Sequence, residues 1–208
     1  MKIKICGLKD KTNLAQVTLL RPDYLGFIFH PLSPRYMAHT MFPADLESIP
    51  GTKTGVFVDS DFNEIDTQVK QYKLDAIQFH GNETPAFCEQ FSGKGQTLIK
   101  AFSIDEGFNF NTVRDFSFCD YFLFDTKGKY KGGNGTAFDW QLLSKYNQEK
   151  PFILSGGISD ENIDEVLNLK GMNIHAIDLN SKVETSPGIK NIEKIKHIIS
   201  KLKSHHEL

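Results

Sequence analysis

The chain has 208 residues, of which 39% are hydrophobic and 24% are charged, and its formal net charge is −2. This composition is ordinary for a globular protein, and the charge excludes a strongly basic surface for nucleic acid. No apolar run approaches the length of about 18 residues that a membrane-spanning helix needs, and the N-terminus lacks the apolar stretch of a signal peptide. We therefore expect a cytoplasmic protein with no nucleic-acid or membrane partner.

Eight short β-rich segments alternate with helical patterns along the chain. The predicted strands are residues 2–6, 24–29, 54–58, 76–80, 97–103, 121–125, 152–155 and 176–180. Apolar residues at helical spacing predict helices at 9–20, 64–72, 160–169 and 189–202, with a weak helical pattern over 105–115. Strands that alternate with helices in this way indicate a parallel sheet.

The turn after the first strand separates two architectures that share this alternation. Residues 6–10 lack the G-x-G-x-x-G fingerprint of a doubly wound, dinucleotide-binding sheet. A complete eight-stranded barrel needs at least about 200 residues, which this chain just supplies. The sequence thus predicts one α/β domain over residues 1–208, folded as a single (βα)8 TIM barrel.

The cysteines and histidines give no metal-binding pattern. Cys6, Cys88 and Cys119 form no CxxC pair, and the seven histidines are scattered. This pattern predicts reduced thiols, no disulfide framework and no structural zinc site. We therefore expect no bound metal ion.

Most of the predicted strands end at a polar residue whose side chain can take part in catalysis or binding. The residues at the ends of the eight segments, or directly after them, are Cys6, His30, Asp59, His80, Ser103, Asp125, Ser155 and Asn180. In a barrel these ends meet at one face, which is where barrel enzymes hold their active sites. The sequence therefore predicts an active site at the carboxyl ends of the strands.

Glycine-rich turns late in the chain predict a phosphate site. Gly156 and Gly157 follow the seventh strand, Asn180 and Ser181 follow the eighth, and a further glycine-rich loop covers residues 128–135. Glycine lets backbone N–H groups point at an anion without interference from a Cβ atom. The alternative is that these glycines only form tight turns, but the loops after strands 7 and 8 frequently bind phosphate in barrels.

Asp125 and Cys6 are candidates for proton transfer. Asp125 ends an aromatic strand, so its carboxyl group is expected at the barrel mouth, where it can serve as a general acid. A loop-capping or lysine-paired aspartate would look the same. Cys6 is a base or nucleophile only as a thiolate, and buried cysteines are more often inert.

Four further residues are candidates for substrate binding. Arg35 follows Ser33-Pro34, and its guanidinium group suits a two-point grip on a carboxylate, although a solvent-exposed arginine is the simpler reading. Gln78 and His80 are two residues apart on one strand, so both side chains point to the same face, toward the barrel interior or its mouth. A histidine that is simply part of the core would occupy the same position. Asp178 approaches the end of the eighth strand.

Taken together, these segments resemble the phosphoribosylanthranilate isomerase family of tryptophan biosynthesis. The resemblance covers essentially the whole chain in seven ordered motifs. They are Lys4-Ile5-Cys6-Gly7, Gly26-Phe27-Ile28-Phe29 with Ser33-Pro34-Arg35, Gln78-Phe79-His80-Gly81, Phe124-Asp125-Thr126, Gly132-Gly133-Asn134-Gly135 before Phe138-Asp139-Trp140, Leu154-Ser155-Gly156-Gly157, and Asp178 through Val183-Glu184 with Pro187-Gly188.

The resemblance implies an Amadori rearrangement without metal or cofactor, on a small phosphoribosyl substrate. It implies that Asp125 is the general acid, that Cys6 is the general base and that Arg35 holds the anthranilate carboxylate, with Gln78, His80 and Asp178 also binding substrate. The phosphate would lie among backbone groups of three loops, at Gly133, Gly135, Gly156, Gly157, Asn180 and Ser181. The enzyme is expected to be a monomer or a homodimer.

The chain departs from the family pattern at three positions. Asn134 and Asn180 stand where threonine and serine are common, and Lys182 stands where glycine is common. Lys182 could add a cation near the phosphate, or it could point outward and change nothing.

Two other functions fit a phosphate-binding barrel. A sugar-phosphate aldolase would need a lysine for a Schiff base, and Lys100 lies within the fifth strand in an ambiguous direction. A barrel that binds a phosphorylated metabolite without turnover is the other alternative.

Overall fold

A closed barrel of eight parallel strands forms the centre of the molecule, which confirms the predicted fold class. The computed structural model describes residues 1–126 and 140–206. The strands are β1 (Lys2–Cys6), β2 (Tyr24–Ile28), β3 (Thr52–Phe57), β4 (Ala76–Phe79), β5 (Thr97–Ile104), β6 (Tyr121–Thr126), β7 (Phe152–Ser155) and β8 (Ile174–Leu179). They pair in chain order, and β8 closes the barrel against β1.

Helical segments follow the strands and cover the barrel. The α-helices are α1 (Lys11–Thr18), α2 (Pro43–Leu46), α3 (Phe62–Tyr72), α4 (Pro85–Glu89), α5 (Ile163–Leu167) and α6 (Ile192–His206). Three 3₁₀ helices add to them, at Phe110–Phe116, Trp140–Lys145 and Ser181–Val183. The side chains of Asp10 and Asp61 accept hydrogen bonds from backbone N–H groups at the starts of α1 and α3, as capping residues do.

Two segments differ from their predicted form. The weak helical pattern over 105–115 becomes a 3₁₀ helix that begins only at Phe110, since Gly107 and Asn109 oppose a regular α-helix. The last helix begins at Ile192 instead of residue 189. The preceding residues form a small antiparallel pair, β9 (Glu184–Ser186) with β10 (Ile189–Lys190), in which Gly188 has a φ of 85°.

Side-chain alternation along the strands separates two packed layers. One face of each strand packs against the helices in the main core, as Ile5, Phe27 and Phe79 do. The other face points into the barrel, where a separate apolar cluster fills the interior. That cluster contains Tyr24, Ala76, Ile99, Ala101, Leu123, Ile153 and Ala176. Interior-facing positions nearer the strand ends are therefore those that can reach a site at the mouth.

Within the described residues, none of the helices combines the length and apolar character needed to cross a membrane.

Candidate active site

A cavity of about 290 Å³ opens at the carboxyl ends of the strands. Its lining includes most of the predicted site residues that the structure describes. They are Cys6, Gln78, His80, Asp125, Gly156, Gly157, Asp178, Asn180 and Ser181, joined by His30, Ser155 and Lys182 among others. The alternation of the strands explains this convergence, because Cys6, Gln78, Asp125 and Asp178 occupy interior-facing positions one or two steps beyond the apolar cluster.

Cys6 lies at the end of β1, in a space that a neighbouring glycine leaves open. It pairs in register with Gly26 on β2, and a Cβ atom at Gly26 would lie 2.7 Å from the Cys6 sulfur. The residue is only 3% exposed. Burial raises the pKa of Cys6, whereas the positive charge of Lys4 acts in the opposite direction.

Below Cys6, the interior of the barrel holds a buried ion pair. Lys4 Nζ donates to Asp178 Oδ1 at 3.0 Å, and Ser155 Oγ donates to Asp178 Oδ2 at 3.3 Å. These three residues lie on adjacent strands β1, β8 and β7, and Lys4 is paired with Asp178 in the strand register. Asp178 was predicted as a substrate ligand, and in this structure each of its carboxylate oxygens has a protein partner.

On the opposite side of the cavity, three polar side chains form a chain from the interior to the mouth. Gln78 Nε2 lies 2.7 Å from His80 Nδ1, and His80 Nε2 lies 3.6 Å from Asp125 Oδ2. If the Gln78 amide donates to Nδ1, the imidazole carries its proton on Nε2, which faces the carboxylate of Asp125. His80 and Asp125 each have side chains 31% exposed, so both are accessible to a ligand in the cavity.

Arg35 lies beside the cavity lining, held by a glutamate that the sequence reasoning left without a role. Glu184 accepts hydrogen bonds from Arg35 Nε at 2.9 Å and from Arg35 Nη2 at 2.6 Å. The same carboxylate accepts from Lys190 Nζ at 2.7 Å and from the Gly188 N–H at 2.9 Å. Burial raises the pKa of Glu184, but the hydrogen bonds from Arg35 and Lys190 outweigh it and hold the pKa below its ordinary value.

Lys190 is another residue that the sequence reasoning missed. Its ammonium group is fully buried and donates to Asn180 Oδ1 at 3.0 Å as well as to Glu184. Glu184 belongs to the motif that continues to Pro187-Gly188, whereas Lys190 lies beyond that motif. Only the β9–β10 pairing brings the two residues together. For Glu184 the motif was a signal in the sequence, and for Lys190 there was none.

The loops after β7 and β8 border the cavity on one side. Gly156 and Gly157 have φ values of 94° and 70°, in the left-handed region that favours glycine. The backbone conformation of the turn is therefore enough to explain why both residues are glycine. Their position in the cavity lining is also suited to anion binding. Lys182 is exposed and lines the same cavity, so it does not point away from the site. The predicted phosphate residues Gly133 and Gly135, and Asn134 between them, lie outside the described residues.

Lys100 points away from the cavity. Its neighbours Ile99 and Ala101 belong to the interior cluster, so alternation directs Lys100 toward the outer layer. There its ammonium group donates to Glu83 Oε2 at 2.9 Å and to the Gly81 carbonyl oxygen at 2.8 Å. This placement removes the lysine that the aldolase alternative required.

In the part of the chain that the structure describes, no group of three histidine, cysteine or acidic side chains is arranged to hold a metal ion. The ionisable groups of the described cavity lining are the Cys6 thiol, the carboxyl groups of Asp125 and Asp178, the imidazoles of His30 and His80, and the Lys182 ammonium group.

Comparison with known proteins identifies the family. The family model described as N-(5′-phosphoribosyl)anthranilate (PRA) isomerase matches residues 3–201. An N-(5′-phosphoribosyl)anthranilate isomerase from Parabacteroides distasonis is 39% identical over 97% of this chain and 93% of its own.

Solved structures of similar proteins agree with this match. The phosphoribosyl anthranilate isomerase of Thermus thermophilus superposes with a TM-score of 0.84 at 30% identity, over 98% of this chain and 99% of its own. A phosphoribosyl anthranilate isomerase in complex with reduced 1-(o-carboxyphenylamino)-1-deoxyribulose 5-phosphate gives a TM-score of 0.82 at 26% identity, with 98% and 99% coverage. The resemblance inferred from the motifs is confirmed, and the chain belongs to the N-(5′-phosphoribosyl)anthranilate isomerase family of enzymes.

Proposed function

We propose that this enzyme converts N-(5-phosphoribosyl)anthranilate into 1-(2-carboxyphenylamino)-1-deoxyribulose 5-phosphate in tryptophan biosynthesis. The observation that carries the proposal is that Cys6 and Asp125 line one cavity with the glycine turns after β7 and β8, in a chain of this family. A proton donor, a potential base and backbone groups suited to a phosphate therefore share a space of about 290 Å³.

The reaction begins with proton transfer from Asp125. Its carboxyl group donates a proton to the ring oxygen of the ribose, the bond from C1′ to that oxygen breaks, and the anthranilate nitrogen forms a Schiff base with C1′. His80, with Nε2 at 3.6 Å from the Asp125 carboxylate, stabilises the negative charge that this transfer leaves.

The second step belongs to Cys6. Its thiolate removes the proton from C2′, and the electron pair of the broken bond forms a C1′=C2′ double bond while the iminium nitrogen becomes neutral. The resulting enolamine tautomerises to the ketone, as the C2′ hydroxyl group loses its proton and C1′ gains one. Asp125 has then lost one proton and Cys6 has gained one, and proton exchange with solvent restores both groups. C2′ is oxidised and C1′ is reduced within the same molecule, so the reaction needs no external oxidant or reductant.

Arg35 binds the anthranilate carboxylate in this proposal. Glu184 occupies the edge of the guanidinium group formed by Nε and Nη2. Among the described residues, none hydrogen-bonds the edge formed by Nη1 and the second N–H of Nη2, and this edge would make a two-point contact with the substrate. Glu184 would thus orient Arg35, and Lys190 would balance the charge of Glu184.

The phosphate lies among backbone N–H groups of the loops that carry Gly156, Gly157 and Ser181, with Asn180 beside them. Gly133 and Gly135 complete this site in the proposal, as the family resemblance implies. Lys182, exposed in the cavity lining, supplies a cation close to these groups. A cation there favours an anionic ligand by ordinary Coulomb attraction.

The test is the decay of anthranilate-type fluorescence when the protein is added to freshly made N-(5-phosphoribosyl)anthranilate, with spontaneous hydrolysis subtracted. We expect rapid decay with the wild type and losses of several orders of magnitude in kcat for Cys6→Ser and Asp125→Asn, with limited change in KM. Tight product binding without turnover by well-folded wild type would favour the non-catalytic barrel. Near-wild-type kcat in either variant would remove that residue from the mechanism.

A further inference from the structure

Lys4 is a charged side chain in a place where charge is costly. It lies on β1 inside the barrel and is 0% exposed, one interior-facing step below Cys6. Burial of an ammonium group is strongly unfavourable unless it is paired. An apolar residue of the same volume would fill this position at lower cost, so the charge calls for an explanation beyond packing.

The geometry confines this ammonium group between two side chains. Asp178 Oδ1 accepts its hydrogen bond at 3.0 Å, and Ser155 fixes the other carboxylate oxygen of Asp178 at 3.3 Å. Cys6 is two residues further along β1 and faces the same way, so its thiol is the next inward-facing group on this strand. Gly26 pairs with Cys6 in the strand register, so the adjacent strand contributes no side chain at this level.

We propose that Lys4 is a positioning residue for Cys6, and that its ammonium group, held in place by Asp178, supplies the charge that stabilises the Cys6 thiolate. This inference rests on the proposed function of Cys6 as the base. Asp178 then acts as the counter-ion of Lys4, and its Oδ1 accepts the hydrogen bond that fixes the position of the ammonium group.

The charges around Cys6 agree with this assignment. Burial raises the pKa of Cys6, Lys4 opposes that effect, Asp178 adds to it, and Lys190 again lowers the pKa. Burial alone would favour the neutral form of Lys4, but Asp178 and Cys6 outweigh it and raise the pKa of Lys4. The charged form of Lys4 is therefore favoured in the barrel interior.

Other ionisable groups face the same space and must be held constant in any test. Arg35 and Lys190 contribute positive charge near Cys6 from the loop after β2 and from β10. The remaining ionisable residues in the described cavity lining are His30, His80, Asp125 and Lys182.

The experiment measures ionisation of Cys6 in the free protein, from the pH dependence of its alkylation by iodoacetamide. Burial raises the pKa of Cys88 and Cys119 to about 12, so they contribute little thiolate, and Cys6→Ser gives the background. Lys4→Met removes the charge and keeps the side-chain length. We expect the alkylation rate at neutral pH to fall at least about tenfold and its pH midpoint to rise.

Two further variants keep the test decisive. Asp178→Asn keeps Oδ1 as the acceptor that holds Lys4 but removes the negative charge, so it is expected to move the pH midpoint down, opposite in sign to Lys4→Met. The double variant Lys4→Met/Asp178→Asn leaves no unpaired charge in the barrel, so it provides the measurement if Lys4→Met does not fold. Its midpoint should still lie above that of the wild type, because Lys4 acts on Cys6 more strongly than Asp178 does.

Lys2→Met is the matched control. Lys2 lies on the same strand and the same face but is exposed at the opposite mouth of the barrel. Its removal should leave the alkylation midpoint unchanged. A wild-type midpoint in both the Lys4→Met and the double variant, or equal upward shifts in Lys4→Met and Asp178→Asn, would overturn the proposal.

The alkylation assay needs no substrate, so it separates this inference from the proposed function. If the wild type lacks isomerase activity but the variants shift the midpoint as expected, the proposed reaction fails and the role of Lys4 stands. If the wild type is active and the midpoints do not move, only the role of Lys4 fails.

Discussion

Substitution of Glu184 by glutamine should affect stability and substrate binding together. The Glu184 side chain is 4% exposed and accepts hydrogen bonds from two cations, Arg35 and Lys190. Glutamine keeps the shape but replaces one acceptor oxygen with an NH₂ group, which then faces a cationic donor. Because one charge-assisted bond is lost and a buried cation loses its counter-charge, the free energy of unfolding should fall by about 3–5 kcal/mol.

The same change should loosen the grip of Arg35. Without a carboxylate on its Nε edge, the guanidinium group loses the contact that fixes its orientation. We expect kcat/KM to fall at least about tenfold, or about 1.4 kcal/mol, mainly through KM. Urea unfolding gives the stability, and fluorescence decay gives the kinetics.

The stability difference should depend on pH in a defined direction. The folded-state pKa of Glu184 lies below its ordinary value of 4.5, so its ion pairs stabilise the fold fully above pH 4.5. That stabilisation is lost as pH falls through the folded-state pKa, and the difference between wild type and Glu184→Gln should shrink there.

Glu193→Gln is the control for Glu184→Gln. The Glu193 side chain is 81% exposed and paired with Lys196, and its loss should change stability by less than about 0.5 kcal/mol. Wild-type stability and KM in Glu184→Gln, or a difference that does not shrink in acid, would refute the reasoning.

Three further substitutions test other parts of the structure. Arg35→Ala should weaken substrate binding by about 1.5–3 kcal/mol, seen as a higher KM, and an unchanged KM would make Arg35 a bystander. Lys100→Met leaves the buried Glu83 without its counter-ion, so the free energy of unfolding, measured with urea, should fall by about 3–5 kcal/mol while KM is unchanged. A substrate adduct trapped by borohydride on Lys100 of the wild type would instead support the aldolase alternative. Burial lowers the pKa of His175, so the free energy of unfolding should decrease as pH falls below the ordinary value of 6.5. His175→Gln keeps an acceptor for Tyr24 and should reduce this pH dependence, as measured by urea titrations at several pH values. Equal pH dependence in both proteins would contradict this assignment.

The strand pattern predicted the barrel because the physical signal is local. Each short apolar run with a polar end is a strand buried on both faces, and the period of two decides which residues face inward. Cys6, Gln78, Asp125 and Asp178 could therefore be assigned to one mouth once eight strands were counted. Family motifs then supplied the candidate roles, which no single residue type could have given.

The pairings within the site could not be predicted in the same way. The contact of Arg35 with Glu184 spans 149 positions in the sequence, and that of Lys4 with Asp178 spans 174. Such contacts depend on barrel closure and strand register, which no local pattern encodes. The direction of Lys100 was ambiguous for the same reason, because it depends on the alternation of β5 relative to the closed barrel.

By itself, the sequence determined the order of the strands and helices, the residues at the strand ends and the family, since periodicity and short motifs are properties of adjacent residues. Only the tertiary structure decided which charges meet. It brought Lys4 against Asp178, and Arg35 and Lys190 against Glu184. The energy of a buried charge depends on the groups that the fold places around it.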